Sequence, residues 1–270
     1  MKKIFFLLIA LGLSAAAMAL PGCSGSIRNL RIGSGEDYAD GKRTTRTVPV
    51  PDYQTIHATR AVEVFITDRT SQQILIEAPE KLLPHVVVKE QGSTLLVSID
   101  SKIKRIGNAK VKVYLPYNGK ISALKASSAA KIICQTALGA EKINITASSA
   151  AEIEAAAKTG VCTIIASSAA RVKAALRTGA CLVEASSAAN VVLSGSADQC
   201  KADISSAAKF FAPEFEVAGY EIEASSGASA GIRCTKELQA EASSGASIEY
   251  TGDCATNLSR SSGGSIQQTR

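Results

Sequence analysis

The chain has 270 residues, a formal net charge of +6, 46% hydrophobic residues and 20% charged residues. That is enough apolar content for one or two packed domains and too little charge for a disordered chain. Aromatic residues make up 4%, with no Trp and only two His, which argues against a core of large rings and against a multi-histidine metal site.

Residues 1–22 read as an export signal. Lys2 and Lys3 precede an apolar run from Ile4 to Leu20, the pattern of a segment removed from the mature protein. Two cleavage sites compete. Ala17-Met18-Ala19 fits a small-x-small peptidase site, and Leu20-Pro21-Gly22-Cys23 is similar to a lipobox in which Cys23 is lipidated. Pro21 departs from the small residue usual there. Lipidation at Cys23 makes a membrane, reached through the lipid, the first expected partner. The apolar run is also about long enough to cross a bilayer uncleaved. Without residues 1–22 the chain keeps 28 basic and 24 acidic residues. Basic clusters with stacking aromatics are not evident, so nucleic acid is not expected as a partner.

Residues 23–47 are polar and rich in Gly, Arg and Thr, and read as a flexible leader. Residues 48–120 read as an irregular β segment, with strands expected at 61–67, 73–77, 86–89, 94–99 and 110–115. Turn signals separate them at Pro79, Gln91-Gly92 and Tyr117-Asn118-Gly119. No linker divides this segment from residues 121–270, so it is expected to begin the same structure and to cap its first edge.

Residues 121–270 carry a repeat. A Ser-Ser pair recurs eight times, at Ser127, Ser148, Ser167, Ser186, Ser205, Ser225, Ser243 and Ser261 as first member, with steps of 18 to 21 residues. Ala-Ala follows five times, then Gly-Ala twice, then Gly-Gly. Aligned on the first Ser, positions three before (Leu124, Ile145, Ile164, Val183) and five after (Ile132, Ile153, Val172, Val191) are apolar, and one before is mostly Ala. Alternation of this kind is the period of a strand with one buried face. A unit of about 19 residues cannot bury that face alone, but stacked units can. The fold class predicted is all-β: a parallel β-solenoid, a single-stranded and right-handed β-helix with rungs of about 19 residues. Each copy is expected to supply two short strands around a small-residue bend, whose Ser hydroxyls bond along the stack or to the bend's backbone. Glu154-Ala-Ala-Ala-Lys158 alone would suit a helix, but the register of the repeat outweighs local propensity.

Two columns bear on chemistry. Cys162, Cys181 and Cys200 share the position five before the first Ser, and read as a structural ladder of buried small apolar residues. The alternative is a disulfide or metal ladder, which export permits. Glu184, Asp203, Glu223 and Glu241 share the position two before. They read as a solvated row, or as a weak stripe for a divalent cation such as calcium.

Residues 48–270 resemble the bacterial putative auto-transporter adhesin, head GIN domain family. The features are Val64-Phe65-Ile66-Thr67, Ile74–Glu77 leading to Leu82-Leu83, Leu95–Ile99, Val111–Pro116, and Ser/Ala/Gly repeats ending in Gly263-Gly264-Ser265. The resemblance implies an extracytoplasmic β-helical domain with an adhesive role. The expected function is therefore a non-catalytic envelope or surface binding protein, without a cofactor and with an unidentified protein or glycan ligand. A second copy docked through the solenoid edges is a further expected partner. A periplasm-facing structural lipoprotein is the second reading. A β-helix polysaccharide lyase or hydrolase is the third. It would need carboxylates converging on a groove with aromatic platforms, and His57 and His85 lie outside the repeat.

Overall fold

Each Ser-Ser corner is a hydrogen-bonded reverse turn with positive φ at both central residues. The structure is a computed structural model that describes residues 38, 41–68 and 71–269. In the first corner Ser128 has φ 52° and Ala129 φ 60°, and the Ala130 N–H donates to the Ser127 carbonyl at 3.1 Å. Positive φ at both central residues is the type I′ signature, whose twist matches that of flanking strands. The same geometry recurs at every Ser-Ser corner, with Gly227, Gly245 and Gly263 replacing Ala in the last three. Corners also bond to each other through main chain. Ala129 N–H donates to Ser149 O, Ala150 to Ser168 and Ala169 to Ser187, each at 2.9 Å. The hydroxyls contribute less than expected. Ser127 Oγ donates to Thr59 Oγ1 at 3.1 Å, while the second Ser of each corner is exposed.

Holding an L-residue in the left-handed region costs about 1–2 kcal/mol. Gly avoids that cost but loses about 0.5–1 kcal/mol through its freer unfolded chain. Ala188, at φ 60°, is therefore expected to gain about 0.5–1 kcal/mol on replacement by Gly. A melting curve of Ala188→Gly should rise by a few degrees, at about 2–4 °C per kcal/mol.

The first and last intervals between Ser-Ser corners hold the expected two short strands, Lys131–Cys134 with Leu138–Ala147 and Ser247–Thr251 with Ala255–Arg260. In the others the chain runs from corner to corner as a single long strand. The long strands are Glu152–Ala166, Arg171–Ala185, Asn190–Ile204, Lys209–Ala224 and Ser229–Ala242. The second bend is written in burial parity. Ile153, Ala155 and Ala157 are buried, then Cys162, Ile164 and Ala166, so the inward set switches from odd to even numbers. Thr159 and Thr178 fasten this bend, the single Thr178 hydroxyl proton lying within reach of Ala180 O at 2.8 Å and Gly160 O at 3.1 Å, and that of Thr159 within reach of Glu141 O and Val161 O. Glu154–Lys158 lies within the first of these strands, so no helix forms there. Parallel pairing keeps the columns beside the corners in register, as in Ile153↔Val172↔Val191↔Phe210↔Ala230↔Ile248↔Ile266. All seven are buried. Further along, Lys209–Ala224 shifts register against both neighbours, after Val192 on one side and after Ala212 and Val217 on the other.

The first part of the chain is continuous with this sheet, but its rungs are not stacked in chain order. Thr55–Ala58 and Val62–Thr67 form a rung lying between the strands of 94–116 on one side and Ala123–Cys134 on the other. This rung has its own corner, with Arg60 at φ 61° and Ala61 at φ 56°, and the Ala61 N–H donates to Ser128 O at 2.9 Å. The stack ends in antiparallel pairs, Gln73–Pro79 on Val111–Pro116 and Val86–Gln91 on Thr94–Ile99. An outer strand, Arg43–Pro49, pairs antiparallel with Gln73–Pro79. Residues 43–47, read from sequence as flexible leader, are therefore strand. The predicted signal peptide and Cys23 lie outside the described residues.

Candidate functional site: the outward rows

In a stack in register, alternate residues that do not enter the core form straight rows at about 4.8 Å per rung. The acidic residues singled out in the sequence occupy one such row. Its pairs run His57↔Lys125↔Thr146↔Ile165↔Glu184↔Asp203↔Glu223↔Glu241↔Ser259. Glu184, Asp203, Glu223 and Glu241 are all exposed. Lys201, beside the row, donates to Glu221 at 2.6 Å. Its ammonium is held above the usual lysine range by that bond first, with smaller help from Glu223 and Asp203. Among the described residues, no three His, Cys, Asp or Glu side chains gather as a metal-holding group. Calcium titration by calorimetry decides the cation reading: heat that disappears in Glu223→Ala supports it, and absence of heat removes it.

The three ladder cysteines pair in register, Cys162↔Cys181↔Cys200, and continue to Tyr220. They are free thiols and buried. Contact with the Cys181 thiol, and then burial, push the Cys162 thiol up. The Tyr220 hydroxyl is buried without a well-formed hydrogen bond, and burial, then the Cys200 thiol beside it, push its pKa up. Nothing in this row reaches solvent as a nucleophile. Cys134 and Cys254 are half-buried. Burial pushes Cys134 up to about 12, and burial followed by the Cys234 thiol pushes Cys254 up to about 11, from an ordinary value near 9. A folded thiol with a raised pKa favours the native state fully below about pH 9 and loses that contribution as pH rises towards the folded value. The expected result is slow alkylation of Cys134 and Cys254 in native protein at pH 8.5, against fast alkylation after denaturation. The urea midpoint is expected to fall between pH 8 and pH 11. Peptide mapping after iodoacetamide treatment, and urea curves at both pH values, check this.

The two histidines do not meet a serine–carboxylate pair. His57 sits in the row described above, its pKa lowered by burial and then by Lys125. His85 packs edge-on against Tyr38 at 6.0 Å. Asp203 and Glu223 are adjacent in register on an open face, and no aromatic platform lies in their row.

The opposite bank of each rung carries a row that sequence reading did not find. It runs Tyr114↔Phe65↔Ile133↔Glu154↔Lys173↔Val192↔Phe211↔Gly231↔Glu249. Phe65 and Tyr114 stack at 5.1 Å with an interplanar angle of 19°. Phe211 is 57% exposed. Beside it lies a cavity of about 420 Å³ lined by Asn190, Lys209, Phe211, Ser229, Gly231 and Glu249.

The model of the family described as "Putative auto-transporter adhesin, head GIN domain" matches residues 52–254. The chain belongs to this family. Among solved structures, the fold is similar to that of a putative adhesin from Parabacteroides merdae, at TM-score 0.79 and 20% identity, covering 86% of this chain and 98% of that one. A putative adhesin from Parabacteroides distasonis matches at TM-score 0.78 and 17% identity, with coverage of 86% and 98%. A third protein, from the same organism and described as a putative lipid binding protein, matches at TM-score 0.77 and 16% identity, also with 86% and 98% coverage. At these identities the likeness establishes the fold. No curated protein matches the chain.

Proposed function

We propose that this head GIN domain protein is an exported, non-catalytic binding protein of the bacterial envelope, lipid-anchored at Cys23 and acting in adhesion at the cell surface. The observation that carries the reading is the register of the stack. It turns outward positions beside the corners into long straight rows, and such surfaces suit extended ligands. Membership of the adhesin family and likeness to solved adhesin-type structures support the same reading. The carboxylates that hydrolysis would call on stand in an open row, which suits binding better than acid–base work on a bond.

The test uses producing cells. Deletion of the gene is expected to lower their adherence to immobilised host matrix, and added purified mature chain is expected to compete with the parental cells. Equal adherence of parental and deletion cells, with no competition, overturns the adhesive role and leaves the periplasm-facing structural lipoprotein.

A further inference from the structure

Phe211 is anomalous in its row. The residue before it, Phe210, enters the core at 1% exposure, while Phe211 leaves more than half of its surface to solvent. Burial would have recovered about 1.5–3 kcal/mol for such a side chain. The column does not call for an aromatic there, since the equivalent positions in the two rungs on either side are Lys173, Val192, Gly231 and Glu249. The next rung carries no side chain against the ring. Gly231 lies beneath it, and a Cβ at that position would stand 3.5 Å from the ring edge. One edge of the ring therefore borders the bare backbone at Gly231, and more than half of the side chain stays open to solvent.

The surroundings define what that surface suits. The cavity wall offers the Asn190 amide, the Lys209 ammonium, the Ser229 and Ser247 hydroxyls and the Glu249 carboxylate. This is one cation and one anion among neutral donors and acceptors, so the site has no net charge. A flat apolar ring bordered by mixed donors and acceptors matches a pyranose, which has an apolar face of C–H groups and a rim of hydroxyls. Pockets of this kind take orientation from a few polar groups and affinity from the apolar wall. A protein partner would ask for a contiguous apolar patch. Here Glu154 and Lys173 interrupt the row, and Glu154 is already bonded to Lys131 at 2.9 Å.

The row reaches well beyond this one ring. Five register steps separate Phe65 from Phe211, roughly 24 Å at about 4.8 Å per rung. An aromatic pair stands at one end, a single exposed ring at the other, and charged hydrogen-bonding groups lie between. That spacing suits an oligosaccharide laid along the stack better than one sugar.

We propose that the row from Tyr114 to Glu249 is a saccharide-binding face, with the Phe211 ring as its main stacking platform for a neutral pyranose and the Phe65–Tyr114 pair as a second contact. The proposal deepens the binding role stated above and rests on it. The experiment titrates purified mature chain with cellohexaose, chitohexaose and mannohexaose, and with the matching disaccharides, by calorimetry and saturation-transfer NMR. At least one hexasaccharide is expected to bind, with saturation transfer from Phe ring protons. Phe211→Ala is expected to weaken binding tenfold or more. Phe65→Ala is expected to weaken hexasaccharide binding while leaving disaccharide binding unchanged. A melting temperature within two degrees of the parent shows that each variant is folded. No binding by any of the six probes, or equal binding by Phe211→Ala, overturns the saccharide face. The cell assay separates this failure from that of adhesion. Cells carrying Phe211→Ala that adhere as the parent does, through a protein partner or another face, overturn the platform alone, whereas deletion cells that adhere fully overturn adhesion itself.

Discussion

Phe210→Ala is expected to lower the stability of the folded chain by about 3–5 kcal/mol, whereas Phe211→Ala is expected to change it by less than about 0.5 kcal/mol. The two rings are neighbours in sequence and differ only in parity. Phe210 is among the largest fully buried side chains and stands in the central apolar column between Val191 and Ala230. Neither neighbour can swell to fill a phenyl-sized hole, because each is fixed by the rung on its far side. The cavity term therefore adds to the lost transfer energy. A solenoid's rungs are stabilised mainly by nearest neighbours, so the loss should be local. Hydrogen exchange is expected to speed up in 190–230 and much less in 55–67. Urea unfolding followed by circular dichroism, with exchange by mass spectrometry, checks both statements. Similar destabilisation by the two variants would mean that the assigned parity of this strand is wrong.

Gly195→Ala is expected to cost about 3 kcal/mol or more. Gly195 has φ +104°, and a Cβ built there would lie 2.0 Å from the Leu176 carbonyl oxygen. The unfavourable φ alone contributes about 1–3 kcal/mol. The clash is with backbone of the adjacent rung, which cannot move without opening the sheet. Gly139→Ala is the control, since its nearest atom would be the Tyr117 hydroxyl at 4.0 Å and its φ is not positive. That variant should stay within about 0.5 kcal/mol of the parent. Thermal melting of the two proteins decides the matter, and equal melting temperatures would contradict the close approach of rungs at residue 195.

Much of the stack was legible because its period is carried by apolar columns that sequence prints directly. Ile132, Ile153 and Val172 read as a ladder, and they are one. The corner chemistry was less legible. Ser and Ala are not residues that announce positive φ, and only the Gly in the last three copies hints at it. The corner at Thr59-Arg60-Ala61-Val62 escaped for a related reason: it has the two positive φ values of Ser-Ser-Ala-Ala without its letters. The order of the first rungs could not be read at all. The segment 94–116 lies outside 55–67, although it follows it in the chain, and local patterning carries no information on which of two strands is the outer one. The Arg43–Pro49 strand was hidden by its composition, because an exposed edge strand of Arg and Thr needs no apolar face.

The same physics explains what was seen of the candidate site. The acidic row lies wholly within the regular repeat, so alignment on Ser-Ser placed Glu184 to Glu241 in line. The aromatic row crosses from the permuted rungs into the repeat. Phe65 and Tyr114 reach Phe211's row only through pairings between segments far apart in sequence. One exposed Phe in an alternating strand looks like noise until those pairings are known.

The central proposal is that the folded chain works as a binding surface outside the cell. Protease shaving of intact producing cells, followed by immunodetection, tests it most directly. Loss of the protein from unbroken cells, with a periplasmic marker untouched, is the result predicted. Full protection until the envelope is opened would contradict it.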